Sequence, residues 1–177
     1  MTRHWTSAVI LAGATLFLMG AQCFSITDPL VVTVNVKDIK NTYPITPGSV
    51  AFNSPPRCET RNAADYIDSK YNVNGSRLVD VTMQTVGTFS GNVVNGVVTV
   101  NGTTIITYSG PWSAFSTPQS LLTSPLLVRN PAGVTVLLNA IKSGAAVTLC
   151  DGGQLSQASV AGMQIVANIY AQVDVTP

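Results

Sequence analysis

The chain has 177 residues and a nearly balanced charge, with nine Lys and Arg against eight Asp and Glu, and only 10% of its residues are charged. The basic residues are scattered singly, whereas nucleic-acid binding requires clustered Lys and Arg that contact phosphates, so nucleic acid is excluded as a predicted partner. The only histidine, His4, lies in a segment that we expect to be removed, which excludes Ser-His-Asp and Cys-His catalysis and histidine-ligated zinc.

The first 23 residues have the pattern of an export signal. A basic start precedes an apolar run over residues 8–21, and Cys23 follows shortly after it. An apolar run of about 7–15 residues is typical of a secretory signal peptide, whereas a membrane-spanning helix needs about 20. We therefore predict a signal peptide over 1–23, a short tether over 24–29 and a single β-rich domain over 30–177.

The end of this signal leaves two kinds of processing open. Ala21 and Cys23 are small residues at the positions that signal peptidase I requires, and cleavage there would release a chain starting at Phe24. A bacterial lipoprotein would instead be cleaved before Cys23 and acylated on it, although Gln22 and Gly20 depart from the usual lipoprotein signal. The predicted localisation is extracytoplasmic: secreted or periplasmic, or membrane-anchored if Cys23 is lipidated.

Cys58 and Cys150 are the two cysteines outside the signal, and we predict a disulfide between them. An oxidising compartment favours pairing, and the absence of a CxxC motif disfavours a redox pair. Two buried free thiols are the other alternative. On the chain-entropy model, closing so long a loop would stabilise the folded chain by roughly 4 to 5 kcal/mol.

Strand and loop signals alternate in the first part of the predicted domain. Residues 30–36 alternate between apolar and polar side chains as a strand does. Residues 40–56 are rich in Pro, Gly and Asn, and we predict a loop there with at most a short strand at 49–52. Asn62 fits the N-cap of a short helix over 62–71.

Residues 77–108 contain three runs rich in Val, Thr and Ile, and the pattern predicts a β-meander. Residues 77–86 alternate with the period of two that a half-buried strand shows. Asn95-Gly96 and Asn101-Gly102 separate the later runs. Because Asn-Gly readily adopts the positive φ angles of a tight hairpin, both pairs are predicted to be turns.

Two large aromatic residues, Trp112 and Phe115, lie in the Ser- and Pro-rich segment that follows. They are candidates for a ligand or partner contact, for instance a platform on which a sugar stacks. The alternative is a plug that closes the end of a β-sandwich, and we favour it because large aromatic side chains dominate core burial. Thr117-Pro118 predicts a short helix over 119–123.

The strongest helix signal lies at residues 131–142. Asn130 fits the N-cap, Pro131 fits the first turn, and Gly144 lies just beyond the end. Apolar residues recur at helical spacing along one face, so we expect the helix to cover a sheet. A strand over 145–150, a turn at 151–154 and a long strand over 163–175 complete the predicted elements.

These elements predict a mainly β fold: an antiparallel β-sandwich of immunoglobulin-like or jelly-roll type with one packed α-helix, or alternatively a mixed α+β sheet. No motif identifies catalytic residues, a cofactor or a metal site. Asp65 and Asp68 could approach Ca²⁺ together, but they lack the further oxygen ligands of a calcium loop and are predicted to be surface carboxylates.

The predicted function is that of an exported, non-catalytic protein of the cell envelope or extracellular space that acts by binding, assembly or structural support. Its expected partner is a protein or a hydrophobic ligand, and we expect membrane contact only through a lipid on Cys23. Two alternatives are a carrier that encloses a lipid or other hydrophobic ligand and a hydrolase that uses a carboxylate pair.

Mass spectrometry of the exported protein distinguishes the two kinds of processing. A mature chain that begins at an acylated Cys23 would identify an anchored lipoprotein, and one that begins at Phe24 would identify release. A mature chain that retains residues 1–23 would contradict the signal prediction.

Overall fold

The computed structural model describes residues 32–36, 39–62 and 72–176. The predicted export signal with Cys23 lies outside these ranges, as does the predicted short helix over 62–71 apart from Asn62, which ends a strand. Within the described ranges the chain is mainly β, with two antiparallel sheets and one α-helix that packs on them. The prediction of a mainly β fold with antiparallel sheets and one packed helix is therefore confirmed.

Ten strands of the described ranges form the two sheets, and helix α1 (Pro131–Ser143) lies between the eighth and ninth of them. In chain order the strands are β1 (Val32–Asn35), β2 (Ile39–Pro44), β3 (Ala51–Asn62), β4 (Asn72–Val86), β5 (Asn92–Val100), β6 (Thr103–Pro111), β7 (Gln119–Ser120), β8 (Leu127–Arg129), β9 (Ala146–Leu155) and β10 (Gln164–Thr176).

Sheet A is organised around β10, which pairs with β4 along one side and with both β1 and β2 along the other. Short β7 adds to the outer side of β4. Sheet B has the strand order β3-β9-β5-β6-β8. Because the inner faces of both sheets are apolar, they contribute to one buried core, which includes alternate residues of β10: Ile165, Ala167, Ile169, Ala171 and Val173.

The predicted loop at 40–56 is wrong over much of its length, because β2 pairs with β10 and β3 begins at Ala51. The local composition misleads here. Pro44 lies at the end of β2, and Pro55 and Pro56 lie where β3 bulges away from β9. Proline is tolerated at such positions since it removes no ladder hydrogen bond there.

The predicted meander over 77–108 is wrong in its pairing. β4 belongs to sheet A, whereas β5 and β6 form a hairpin in sheet B, so the chain crosses between the sheets over residues 87–91. Alternation within a strand shows that one face is buried, but it does not show which strand lies beside it. All three runs are therefore strands, as predicted, but β4 does not lie beside β5 because it belongs to the other sheet.

Only one of the two predicted Asn-Gly turns is present. Asn101 and Gly102 have φ angles of +47° and +80° and join β5 to β6, as predicted. Gly96 instead lies within β5, opposite Tyr108 of β6, so the turn at Asn95-Gly96 is wrong. The turn predicted at 151–154 is also wrong, because β9 continues through these residues.

Helix α1 closely matches its prediction. Asn130 Oδ1 accepts a hydrogen bond from Ala132 N at 3.0 Å, and Gly144 ends the helix with a φ of +69°. The buried face includes Val134, Leu137 and Ile141 and contacts β4 in sheet A and β6, β9 and β5 in sheet B. The helix therefore packs against both sheets. No helix of the described ranges has the length and apolar character needed to cross a membrane.

Gly133→Ala tests how closely α1 packs on the sheet. An added Cβ would lie 2.0 Å from Thr104 O, so the helix would have to move. In an exposed helix interior this change stabilises by up to about 1 kcal/mol, whereas here we expect a loss of about 1–3 kcal/mol. Denaturant unfolding measures the difference.

The matched control is Asn139→Ala, on the exposed face of the same helix. It is expected to change the free energy of unfolding by less than about 0.7 kcal/mol, in the stabilising direction. A stabilised Gly133→Ala variant would contradict the close contact between α1 and β6.

Candidate functional site

A groove of about 340 Å³ opens across β3, β9 and β5 of sheet B. Val97 and Thr99 of β5 and Cys150 of β9 line it and alternate along their strands with buried residues such as Val98 and Leu149. The groove therefore lies on the face of sheet B that points away from the core. Its volume is at the lower end of the range for small-ligand sites.

Irregular strand pairing creates this concavity. Residues 53–56 of β3 lie opposite only Gly152 of β9, because Phe52 pairs with Gly153 and the next pair begins at Arg57. β5 carries a further register shift opposite Gln154 and Leu155 of β9. Bulges of this kind bend a strand and redirect its side chains, and they are frequent next to functional sites.

The floor of the groove is formed by backbone at two adjacent glycines. A Cβ at Gly153 would lie 2.1 Å from Asn95 O and 2.6 Å from Phe52 Cζ, so no larger residue fits without a shift of its neighbours. At Gly152 a Cβ would lie 3.2 Å from Asn53 O. Glycine inside a strand marks such a close approach of neighbouring groups.

The predicted disulfide between Cys58 and Cys150 is confirmed. The two residues face each other directly across β3 and β9, and Cys150 lines the groove. The disulfide joins the strands immediately beyond the bulge of β3, at the place where regular pairing resumes. A disulfide is compatible with an extracytoplasmic location.

Asp151, the residue between Cys150 and Gly152, points away from the groove and is fully buried, with 0% of its surface exposed. Its Oδ1 accepts a hydrogen bond from Tyr108 Oη at 2.7 Å, and its Oδ2 accepts one from Asn53 Nδ2 at 3.0 Å. We call Asp151, Tyr108 and Asn53 the carboxyl cluster.

Burial raises the pKa of Asp151 to about 7, because a charged carboxylate is disfavoured away from water. The hydrogen bonds from Tyr108 and Asn53 oppose this rise since they stabilise the charged form. The pKa of Tyr108 is well above its usual value because its hydroxyl is buried and because the Asp151 charge lies nearby. A neutral Tyr108 therefore remains the donor.

A glycine and a second tyrosine complete the surroundings of Asp151. A Cβ at Gly96 would lie 2.3 Å from Tyr108 Cζ, so the absence of a side chain there makes room for the tyrosine ring. Tyr43 of β2 is buried, and its hydroxyl lies 3.0 Å from the side-chain amide of Asn41. Burial raises the pKa of Tyr43, and the Asp151 charge adds to the rise.

Asn53 connects the buried carboxyl to the groove. It lines the groove, is 8% exposed and has a φ of +50°, a left-handed conformation that asparagine tolerates better than most residues. Its Nδ2 donates to Asp151, while its Oδ1 is buried and has no hydrogen-bond partner among the described residues. An unpaired buried acceptor is uncommon in folded proteins.

Trp112 and Phe115, the candidates for a ligand or partner contact, lie at the two ends of a single 3-10 turn and are 2% and 0% exposed. Trp112 Nε1 donates to Gly87 O at 2.9 Å, and its ring packs edge-on against Phe89. Phe115 packs edge-on against Tyr108. These contacts agree with the plug interpretation, whereas a role of the pair in ligand or partner contact stays a prediction.

The short helix predicted after this turn is wrong. Gln119 and Ser120 form β7, which pairs with β4, and residues 121–123 form a turn. Thr117-Pro118 has the residue types of a helix start, but the following segment is held extended by hydrogen bonds such as that from Leu121 N to Val81 O at 2.8 Å. Sheet pairing overrides the local signal here.

Sequence reasoning did not identify the groove or the carboxyl cluster. Asp151 was placed in a turn because it precedes two glycines, and Asn53 lay in a segment predicted to be loop. A polar residue following the apolar strand 145–150, with two glycines after it, is a signal for an irregular strand as well as for a turn. Among the described residues, no group of three or more His, Cys, Asp or Glu side chains is placed to hold a metal ion.

No family model, curated protein or solved structure matches the chain.

Asp151→Asn tests the cost of the buried carboxyl. Because the pKa of Asp151 is about 7 in the folded chain and near 3.8 otherwise, the folded state keeps a proton that the unfolded state releases between pH 4 and 7. Wild type should therefore lose stability relative to Asp151→Asn as pH rises through this window, by about 1.4 kcal/mol per pH unit.

Urea unfolding at pH 4.5, 5.5, 6.5 and 7.5 measures this difference. Asp80→Asn, a change outside the carboxyl cluster, controls for the loss of one negative charge. A constant difference between wild type and Asp151→Asn across the four pH values would contradict the raised pKa.

Proposed function

We propose that this protein is an exported, non-catalytic binding protein whose ligand site is the groove of sheet B. The observation that carries the proposal is that irregular strand pairing forms a concave site whose lining includes no charged side chain. A sheet that served only to cover the core would be expected to have regular strand pairing throughout. Between β3 and β9 the regular pairing is interrupted where the groove lies and resumes beside the disulfide.

The lining favours a small, uncharged ligand that has both hydroxyl or amide groups and an apolar face. Carboxamides of Asn95 and Gln154 and the hydroxyl of Thr99 offer donors and acceptors. Val97, together with Ala51, Pro56 and the disulfide, offers apolar surface. A neutral saccharide unit has this combination of groups and a size suited to the groove, so we propose a neutral saccharide as the ligand class.

The surroundings of Asp151 support a non-catalytic role. Glycosidase chemistry uses two carboxyl groups that flank the substrate about 5–10 Å apart. Asp151 has a raised pKa, but it is fully buried on the core side of the strand, and the groove lining contributes no carboxyl. The carboxylate hydrolase therefore receives less support than binding.

The packing of α1 supports a ligand site on the surface rather than in the interior. Gly133 lies so close to Thr104 that even a methyl group would clash, and the residues between the sheets form one buried cluster. A carrier would need internal volume in this region for a hydrophobic ligand. The proposal accordingly places the ligand outside the core.

Export is the second part of the proposal, and it rests on the predicted signal over 1–23 together with the disulfide between Cys58 and Cys150. Release and anchoring through Cys23 both leave the groove in the same oxidising compartment. In either case the protein would bind its ligand outside the cytoplasm.

Titration of the ¹⁵N-labelled protein with a panel of neutral mono- and disaccharides, including N-acetylated ones, tests the binding site by NMR. We expect saturable shifts confined to β3, β9 and β5 around Gly152. Val97→Trp fills the groove and is expected to abolish the shifts.

The matched control is Val128→Trp, which adds the same side chain at an exposed position of β8 in the same sheet. It should bind like wild type. The proposal is overturned if no saccharide of the panel binds, if shifts map elsewhere, or if Val97→Trp binds as wild type does. Turnover of a saccharide would instead support the hydrolase.

A further inference from the structure

We infer that the groove is one end of a longer site for a linear, neutral polysaccharide, which lies across the strands of sheet B from the groove to β8. The inference rests on the function proposed above, because it takes a saccharide as the ligand class and adds the length and direction of the bound chain. A failure of the longer site can be distinguished from a failure of the groove, since short saccharides reach only the groove.

The outer face of sheet B, which points away from the core, carries no charged side chain among the described residues. Each charged residue of its strands lies directly opposite a buried residue of a neighbouring strand, and directly paired residues share one face of a sheet. The charged residues that the register places on the core side in this way are Arg57, Glu59, Arg61, Asp151 and Arg129. A ligand that covers the outer face therefore displaces no water from a charged group.

The outer face of sheet A has a different character. It carries charged side chains of both signs at outward positions of β2, β4 and β10: Lys40, Arg77, Asp80 and Asp174. Interspersed charges of this kind are usual on a surface that stays in contact with water. The difference between the two outer faces therefore favours sheet B as the binding face.

A row of directly paired residues continues the groove across the rest of sheet B. Val97 of β5 lines the groove and is paired with Gly152 on one side and with Thr107 of β6 on the other. Thr107 is in turn paired with Val128 of β8. We call Val97, Thr107 and Val128 the outer row. Because paired residues share a face, the outer row lies on the same face as the groove.

The outer row is open to solvent. Val128 is 61% exposed, and Val97 and Thr107 are partly exposed although they lie in central strands. No element of the described ranges therefore covers the row. Since neighbouring strands are about 4.8 Å apart, the row extends the site by about 10 Å beyond Val97. One sugar unit of a linear chain is about as long as the spacing between strands, so about two further units fit along the row.

The side chains of this face suit a ligand rich in hydroxyl groups. The outer row places one hydroxyl, that of Thr107, between two apolar side chains, and a hydroxyl both donates and accepts hydrogen bonds. A sugar unit likewise presents C–H groups and hydroxyls. A parallel row on the same face adds two more hydroxyls, because Thr99 is paired with Thr104 as well as with Cys150.

The small size of these side chains favours a long chain over a protein partner. Protein interfaces depend on a few large anchors, most often Trp, Tyr and Arg, and none of these residue types occurs in the outer row or the groove lining. Small side chains give weak contacts to each sugar unit, so useful affinity requires several linked units bound at once. A polysaccharide supplies such units.

The dependence of affinity on chain length tests the longer site. Neutral oligosaccharides of two to six units, built from glucose or from N-acetylglucosamine, are titrated into the ¹⁵N-labelled protein. We expect Kd to fall by about three- to tenfold between two and four units, as for one net hydrogen bond gained, and to change little for longer chains, which pass beyond β8. The backbone signals of Thr107 and Val128 should shift with four units and not with two.

Thr107→Val removes the hydroxyl of the outer row and keeps the β-branched shape that suits a strand. It should weaken binding of the four-unit chain by about three- to tenfold and leave binding of the two-unit chain unchanged. The matched control is Thr42→Val, at an exposed position of β2 on the outer face of sheet A. This control should bind chains of both lengths as wild type does.

Three results would overturn the longer site and leave the groove as a site for short saccharides: equal Kd values for two and four units, shifts from longer chains that stay within β3, β9 and β5, or wild-type binding of four units by Thr107→Val. Shifts of the outer row that depend on protein concentration in the absence of saccharide would also overturn it, because a second copy of the chain would then cover the face. If no chain of any length binds, the longer site and the proposed ligand class both fail.

Discussion

Strand β9 pairs with β3 on one side and with β5 on the other, and it also places the carboxyl group of Asp151 in the core. The candidate site depends on how the strand meets both requirements. Regular pairing continues up to Asp151 and then fails against β3 for four residues. The Cys58–Cys150 disulfide lies at the last regular pairs and holds the strands together there. Beyond it, the backbone at Gly152 is free of a directly opposed β3 partner and the groove opens.

The two faces of β9 at this point are therefore linked through one residue, Asn53. On the inner face, Asp151 loses its hydration and recovers part of the cost from Tyr108 and Asn53. On the outer face, the same Asn53 contributes to a groove without charged side chains. One residue of the β3 bulge thus belongs to both environments.

Much of the fold could be predicted from the sequence, because it depends on local signals. Asn130 and Gly144 bound α1, Asn101-Gly102 supplies a hairpin, and alternation along 163–175 gives β10 its buried face. Which strands pair with one another could not be predicted, since the alternation of apolar and polar residues along a strand is the same whichever strand lies beside it. The assignment of residues 77–108 to one sheet failed for this reason.

The candidate site was beyond sequence reasoning for a different reason. Gly152-Gly153 and Asn53 are residue types typical of turns, and only pairing with distant strands keeps them inside β9 and β3. The burial of Asp151 likewise depends on Tyr108, 43 residues away in the sequence. Residue types typical of turns conflict with the strands in which they lie. Such conflicts between local sequence preference and structure are expected at functional sites.

The order of strand pairing also has a consequence for how the chain folds. β10 is the central strand of sheet A, yet it follows in sequence every strand with which it pairs. The hairpin of β5 and β6 can form from neighbouring residues, but β1, β2 and β4 have no central partner until β10 joins them. Contacts of such long sequence separation place folding in the slow range of milliseconds to seconds. Apolar faces of the early strands would remain uncovered during that time, so a chain emerging on the far side of a membrane would benefit from chaperones that shield exposed strands.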